Sequence, residues 1–410
     1  MKRILVISDF IEGQPVIASV RFSELMEYFQ KKYSLVIVND FKYGHQQSKY
    51  ADINLKFKTT ESRYTNNLDQ SNIKRKNNLE KLLRTGVILK LWRNFKYSKL
   101  LFNFKNKDLY NNISKLIVED NIAAIFVTVP EIYGLYIVDL IKKKEPKIPV
   151  IVEVRDIINH SIGKGNPQLA YKKAEKILMR HADGIIALSE GIKDYYSKLT
   201  NQKLNIEVIK NGYDHIKFLD CSYNQGLAHK VRLVLAHIGS IYKGRNIKDF
   251  IAGLVAFSDA TGIEVIFNIV GAIDNQAYNE ISDIETPEKV KINVIGTVPH
   301  EVAIKYLKEC DIAVILTHKH GSDFAIPGKT FEYIGACKPI IAVTEDKELV
   351  SLVNGKYGEC ASHNSNDIKE KLKKILNSQY DFSNRMLYSR ETQASKIINY
   401  IENIINSNEQ

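Results

Sequence analysis

Short runs of β-branched and aliphatic residues recur along this chain, each followed by a stretch in which apolar positions return every three or four residues. In the first half the runs are 3–8, 35–38, 122–128, 150–154, 184–188 and 206–209, and they are apolar almost throughout. Strands buried on both faces of a parallel sheet read in this way. Helical spacing fills segments between them, notably 20–31, 131–144 and 169–181. The same rhythm restarts at 232–238, 263–270, 290–295, 312–316 and 340–343, and a last helical pattern covers 389–405. Alternation of strand and helix at roughly 25 to 30 residues per unit predicts an α/β chain of two doubly wound, Rossmann-like domains. The polar stretch 214–230 marks the boundary, giving domains over 1–213 and 214–386, with a terminal helix at 387–410 packing back onto the first. In open sheets of this kind ligands bind beyond the carboxyl ends of the strands. Two such sheets facing each other predict a cleft.

The length of 410 residues and the 44% apolar content exclude a disordered chain and suit two cores of this size. Cys221, Cys310, Cys337 and Cys360 lie far apart without a Cys-x-x-Cys pair, so neither a disulfide framework nor a zinc site is expected, and a reducing cytosol fits. The apolar run at the start is too short for the core of a signal peptide. No run approaches a membrane span, so any membrane contact is expected to be peripheral.

The candidate chemistry sits in loops that follow strands. Gly321-Ser-Asp-Phe-Ala-Ile-Pro-Gly-Lys-Thr-Phe-Glu-Tyr333 follows the run 312–316 and opens a helix. Pro327 and Gly328 suit the helix entry, whose free N–H groups and positive dipole end favour a phosphate, and Lys329 adds a charge there. Glu332, one turn on, is placed to reach ribose hydroxyls. A plain helix start with exposed charges is the alternative. The segment is not a P-loop, because that pattern needs a glycine at the position of Asp323 and free N–H groups where Ile326 and Pro327 stand. Gly239-Ser-Ile-Tyr-Lys-Gly-Arg-Asn246 follows the run 232–238, where small residues admit a ligand and Lys243 and Arg245 offer charge to a diphosphate. A surface turn is the bland alternative. His318 and His320 stand two apart without a nearby third ligand and read as loop residues beside that site, so no metal is expected. Ala182-Asp-Gly-Ile-Ile-Ala-Leu-Ser-Glu190 reads as a strand and helix N-cap, and Val208-Ile-Lys-Asn-Gly-Tyr-Asp214 as a strand and Asn-Gly turn.

These pieces, in this order and with Gly296-Thr-Val-Pro-His300, resemble the family-4 glycosyltransferases of the GT-B type, the retaining, nucleotide-sugar-dependent enzymes of bacterial polysaccharide assembly. The resemblance implies an N-terminal acceptor domain and a C-terminal nucleotide-sugar domain. Arg245 and Lys329 would neutralise the donor diphosphate and Glu332 would hold the ribose. Gly239, Ser240, Lys243, Asp323, Phe324, Pro327, Gly328 and Thr330 would line the donor site, with Gly271 and Val298 near the base. The loop after Ser8, with Gly13 and Arg21, would face the acceptor, and Asp156 would orient its hydroxyl unless it is simply a helix N-cap. Two departures stand out. The family's acidic motif carries a glutamate eight positions before the one at Glu332, and Phe324 stands there, as in a Pro-x-Lys-x-Phe-Glu-Tyr variant. Ser240 replaces the basic residue usual after the loop glycine. The chain has no Asp-x-Asp triplet, which fits the metal-independent members. The resemblance therefore implies transfer of a hexosyl or N-acetylhexosaminyl group to a polyprenyl-diphosphate-linked saccharide for capsule, O-antigen or exopolysaccharide, with no cofactor beyond the nucleotide sugar. A non-catalytic, saccharide-binding relative is the alternative.

The net charge of +11 is local. Residues 74–107 hold eleven Lys and Arg against one acid, a net of +10. Apolar residues recur there at helical spacing, with Lys90, Trp92, Arg93, Phe95 and Lys96 in one run that contains the only tryptophan. A basic amphipathic helix of this kind suits an anionic membrane surface, on the inner face of the cytoplasmic membrane for a lipid-linked acceptor. Packing of the apolar stripe on the first domain is the alternative. No nucleic-acid module accompanies the charge.

Overall fold

The computed structural model describes residues 1–14, 17–40, 47–59, 87–119, 121–129, 132–158, 168–223, 226–242, 245, 247–319 and 326–409. It divides into two compact units, one of residues 1–209 with 394–410 and the other of residues 210–393. Each is built on a parallel sheet flanked by helices.

The first unit carries seven strands: β1 (Arg3–Ile7), β2 (Ser34–Asn39), β3 (Ile53–Lys56), β4 (Ile122–Val129), β5 (Val150–Val154), β6 (Gly184–Ala187) and β7 (Asn205–Val208), in the order β3-β2-β1-β4-β5-β6-β7. Leu5 lies opposite Val36 on one side and Ile125 on the other, and all three are buried. The order reverses between β1 and its paired neighbour β4, so the connections that follow these two strands run to opposite sides and leave a gap at their carboxyl ends.

The second unit carries β8 (Arg232–Ile238), β9 (Glu264–Val270), β10 (Val290–Gly296), β11 (Ile312–Leu316), β12 (Ile340–Val343) and β13 (Gly358–Ala361), in the order β10-β9-β8-β11-β12-β13. Its switch point lies between β8 and β11. The two loops singled out in the sequence for phosphate chemistry leave the carboxyl ends of those two strands.

Every strand expected from the pattern is present to within a residue or so. Two were not legible. β3 is a short edge strand whose residues are half-buried or exposed, and β13 reads Gly-Glu-Cys-Ala, so neither forms an apolar run.

The terminal helix Arg390–Glu409 leaves the second unit and packs Ala394, Ile397, Tyr400, Ile401, Ile404 and Ile405 into the core of the first. Tyr400 locks it there. Its hydroxyl donates to the Asn205 carbonyl at 2.8 Å and accepts from the Ile185 N–H at 3.1 Å, at the starts of β7 and β6. Gly184 makes room, since a Cβ there would stand 2.6 Å from the tyrosine oxygen. Tyr400→Phe leaves two backbone groups unsatisfied, and unfolding in denaturant should show a loss of about 1–3 kcal/mol. An unchanged midpoint and slope would contradict this role.

Candidate functional site

The site is built by the residues that follow β8, β9 and β11 in the second unit. Lys329 begins the helix Lys329–Gly335, and its Nζ lies 3.0 Å from Nε2 of His237, a fully buried residue of β8. The other ring nitrogen, Nδ1, lies 3.1 Å from the Val314 carbonyl of β11. A carbonyl only accepts, so Nδ1 carries the proton and Nε2 is left to accept from the ammonium. Burial, with the nearby charges of Lys329 and Arg245, holds the imidazole well below the usual histidine range. It is therefore neutral.

Arg245 supplies the second cation. Its Nη1 donates to the Ser240 carbonyl at 2.8 Å, and its guanidinium stands 4.6 Å from the ring centroid of Tyr242. Its backbone forms an isolated antiparallel bridge with His318, whose ring meets Tyr242 edge-on at 5.8 Å. Desolvation and the like charge of Arg245 push the Lys329 ammonium well below the usual lysine range, with Glu332 opposing. Two cations brought together without a matching anion are unfavourable, and a bound anion would relieve both. The Nε of Arg245 and the Oγ1 of Thr330 are buried and have no hydrogen-bond partner among the described residues, which is rare in a native fold.

Glycines keep this space open. Gly239 and Gly271 adopt φ of +112° and +146°, in the region that side chains avoid. A Cβ on Gly239 would lie 3.1 Å from the Lys329 ammonium, and one on Gly271 would lie 2.5 Å from the Gly239 carbonyl group. The Gly239 N–H donates to Val270 and the Gly271 N–H to Gly296, which ties the ends of β8, β9 and β10 together. Val298 follows β10, half-buried, and Ser240 is exposed.

The helix entry differs from the sequence reading. The Thr330 and Phe331 N–H groups donate to Pro327 and Gly328 at 2.9 and 3.2 Å, so fewer free donors remain there than expected. The helix is seven residues long, which makes its dipole a minor contributor beside two side-chain cations. The Asn-Gly turn abuts this entry. A Cβ on Gly328 would stand 2.7 Å from the Asn211 amide, and Arg390 holds that turn by donating to Asn211 Oδ1 at 2.9 Å and the Gly212 carbonyl at 2.7 Å. Glu332 lies 3.4 Å from Nε2 of His300, the first residue of the helix His300–Glu309. Lys243, Asp323, Phe324 and His320 lie outside the described residues. Among the described residues no group of three or more His, Cys, Asp or Glu is placed to hold a metal ion.

In the first unit Gly13 turns the loop after β1 at φ +77° and is exposed. Arg21 does not present its charge to solvent, because it forms a buried ion pair with Glu153 of β5. Asp156 is exposed just beyond β5, where its Oδ1 accepts from the Ile157 N–H at 2.8 Å. Asp183 holds a structural post, accepting from the Val150 N–H at 2.8 Å and from Lys142 at 3.0 Å, and Ser189 caps the helix Glu190–Leu199.

The basic segment is described from Val87. The helix Val87–Lys96 carries Lys90, whose side chain lies outside the described set, and is followed by Lys99–Lys105. One face packs inward, with Asn94 accepting from the Leu169 N–H at 3.0 Å, Tyr97 stacked on Tyr133 at 6.2 Å and Phe102 buried against Tyr133 and Tyr136. The other face is bare. Trp92 is 53% exposed, Phe95 56%, Leu100 73% and Phe104 69%. Lys96 and Lys107 lie 5.2 Å over the Trp92 and Phe104 rings, and Arg93 is half-buried. Trp92 and Phe95 are thus not absorbed by the domain core, and the part of the stripe before residue 91 lies outside the described side chains.

His237 was missed by the sequence reading. Its signal is a lone histidine inside an otherwise apolar strand, two residues before the loop glycine, and the apolar pattern of 232–238 hides it.

No family model matches the chain, and no curated protein matches it. Solved structures do. The Anabaena protein HepE in complex with UDP and glucose is similar at a TM-score of 0.63 and 13% identity, over 98% of this chain and 100% of that one. Sucrose-phosphate synthase from Thermosynechococcus elongatus is similar at a TM-score of 0.65 and 11% identity, over 99% of this chain and 100% of the other. The lipopolysaccharide outer core galactosyltransferase WaaB, in its apo form, is similar at a TM-score of 0.64 and 14% identity, over 98% and 99%. At these identities the likeness shows the fold, and the chain has the two-sheet GT-B fold.

Proposed function

We propose that this protein is a glycosyltransferase of the family-4 kind, in the Pro-x-Lys-x-Phe-Glu-Tyr variant, that takes a sugar from a nucleoside-diphosphate donor bound by the 210–393 unit. The observation that carries this reading is the pairing of Arg245 and Lys329 beside Gly239, two cations that raise each other's cost, with a buried Arg245 Nε that has no hydrogen-bond partner among the described residues. The fold likeness to HepE, solved in complex with UDP and with UDP-glucose, supports the choice of anion.

Charge grows on the leaving β-phosphate as the glycosidic C–O bond breaks. Fixed cations aimed at that charge are the largest lever such a site has, and they act without reorganising. Arg245 meets the diphosphate as a fork of donors and Lys329 as a point charge. Glu332 and His300, at the mouth of β10, are the proposed ribose contacts, with Val298 near the base. In the retaining, front-face course we propose, the acceptor oxygen bonds to the anomeric carbon on the face the phosphate leaves. Its proton passes to the departing phosphate oxygen, so the protein needs no nucleophile. The two cations take the part that a divalent ion plays in other transferases. The 1–209 unit, with the loop at Gly13 and with Asp156, is the proposed acceptor side, while Arg21 acts there only through its buried pair with Glu153.

Lys329→Ala and Arg245→Ala should each cut transfer from the correct nucleotide sugar by at least about 100-fold, as loss of a transition-state donor does elsewhere. Product should form with the anomeric configuration of the donor, read by proton NMR. Full activity in both variants would overturn the site, and saccharide binding without response to any nucleotide sugar would favour a non-catalytic relative.

We further propose that the acceptor is lipid-linked, as in surface-polysaccharide assembly, and that the exposed face of Trp92, Phe95, Leu100 and Phe104 rests on an anionic leaflet from the cytoplasmic side. Among the described residues no helix is long and apolar enough to cross a membrane. An uncovered apolar face ringed by lysines matches an interfacial contact, where each basic residue near the surface contributes about 1 kcal/mol. Flotation with phosphatidylglycerol vesicles should weaken with added salt and be largely lost in the double variant Trp92→Ser, Phe95→Ser. Equal flotation of wild type and variant would rule out this face.

A further inference from the structure

We propose that His237 is a positioning residue of the donor site: its unprotonated Nε2 accepts a hydrogen bond from the Lys329 ammonium and so holds that charge against Gly239, where the diphosphate arrives. This inference rests on the donor-site reading above.

The geometry leaves the imidazole little freedom. It is buried near the carboxyl end of β8, beside β11, and the Val314 carbonyl at 3.1 Å from Nδ1 demands a proton on that nitrogen. The lone pair is then on Nε2, aimed at Nζ of Lys329 at 3.0 Å. Burial foremost, and the charges of Lys329 and Arg245 after it, oppose a protonated imidazole, which would also lose that acceptor; the Val314 and Ser240 backbones favour protonation more weakly. His237 therefore works as a fixed, neutral acceptor rather than as an acid or base. It lies behind the lysine and does not reach the diphosphate.

The consequence is for Lys329. What acts on its charge is desolvation first and Arg245 second, both of which favour the neutral amine, and Glu332, which favours the ammonium. A hydrogen bond from the charged form to His237 adds to the second side. Glu332 is itself shared with His300 at 3.4 Å, so its support is divided. Without His237 the ammonium would lose its proton at lower pH and would no longer be held in one place. Gly239 contributes from the opposite direction, since any side chain there would press on Nζ.

Two measurements on the full-length protein test this. In the first, pH-dependent trace acetylation, quantified at Lys329 by mass spectrometry without ligand, reads the lysine's titration midpoint. His237→Leu should lower that midpoint by about one pH unit, the size expected for loss of a charge-assisted hydrogen bond. His237→Gln, which keeps an acceptor and a donor, should restore most of the shift. In the second, UDP affinity is followed from neutral to alkaline pH. Wild type and His237→Leu should be close at the low end and diverge by about tenfold as pH rises through the variant's midpoint. A uniform loss of affinity at every pH, with an unchanged acetylation midpoint, would mean that His237 only fills space and would overturn the inference. A shifted midpoint in a protein that binds no UDP would uphold the coupling of His237 to Lys329 and refute the nucleotide assignment instead.

Discussion

The arrangement of the second unit turns on one unfavourable contact, the approach of the Arg245 and Lys329 charges in a partly desolvated corner. Burial first, and the like charge of Arg245 after it, drive the lysine toward its neutral form. What surrounds it limits that cost without removing it. The Arg245 guanidinium is anchored on the Ser240 carbonyl and lies against the Tyr242 ring, while the ammonium leans on a neutral histidine. The anion that acts on Lys329 is Glu332, and it is shared with His300. A ligand that brings negative charge would add to that support, which turns a local cost into affinity.

The parallel sheet explains why this tension is tolerable. β8 and β11 are the two strands at which the order β10-β9-β8-β11-β12-β13 changes direction, so their carboxyl-end loops diverge and leave a gap. His237 and Val314 come from those two strands and sit within the buried core. Tyr333, one turn into the following helix, accepts from the Ile238 N–H at 2.9 Å and ties the helix back to β8. Lys329 is thereby placed by a helix tied to two buried strands, as electrostatic preorganisation requires, while Arg245 comes from the loop after β8 and is held by the Ser240 carbonyl and its bridge to His318.

The fold was largely legible because buried parallel strands betray themselves as apolar runs. Where a strand is short, at an edge or polar, as in Ile53–Lys56 and Gly358–Ala361, that signal disappears. The loops after β8 and β11 were legible through glycine and basic residues placed directly after strands. Arg21 and His237 were not. An arginine in a helix reads as a surface charge until the buried Glu153 partner on another strand is known, and that pairing is non-local. A histidine inside an apolar strand reads as packing until a lysine from ninety residues away is seen to meet it. The apolar face at Trp92 was ambiguous in sequence between packing inward and facing out, and only the exposures separate the two.

If an incomplete cationic site is the organising feature, nucleotide binding must change the protonation of Lys329. The sign follows from the lysine's depressed position in the free protein: an arriving diphosphate favours the ammonium, so its midpoint rises on binding and a proton is taken up. Affinity is then full below the free protein's midpoint and falls as pH rises through it toward that of the complex. UDP is fully ionised in this range, since its terminal phosphate titrates near pH ~6, and does not confuse the count. The most direct measurement is calorimetric titration with UDP at alkaline pH in two buffers of different ionisation enthalpy. The account predicts binding heats that differ between the buffers by net proton uptake, an uptake that Lys329→Met abolishes. Equal heats in both buffers with undiminished affinity at high pH would contradict it.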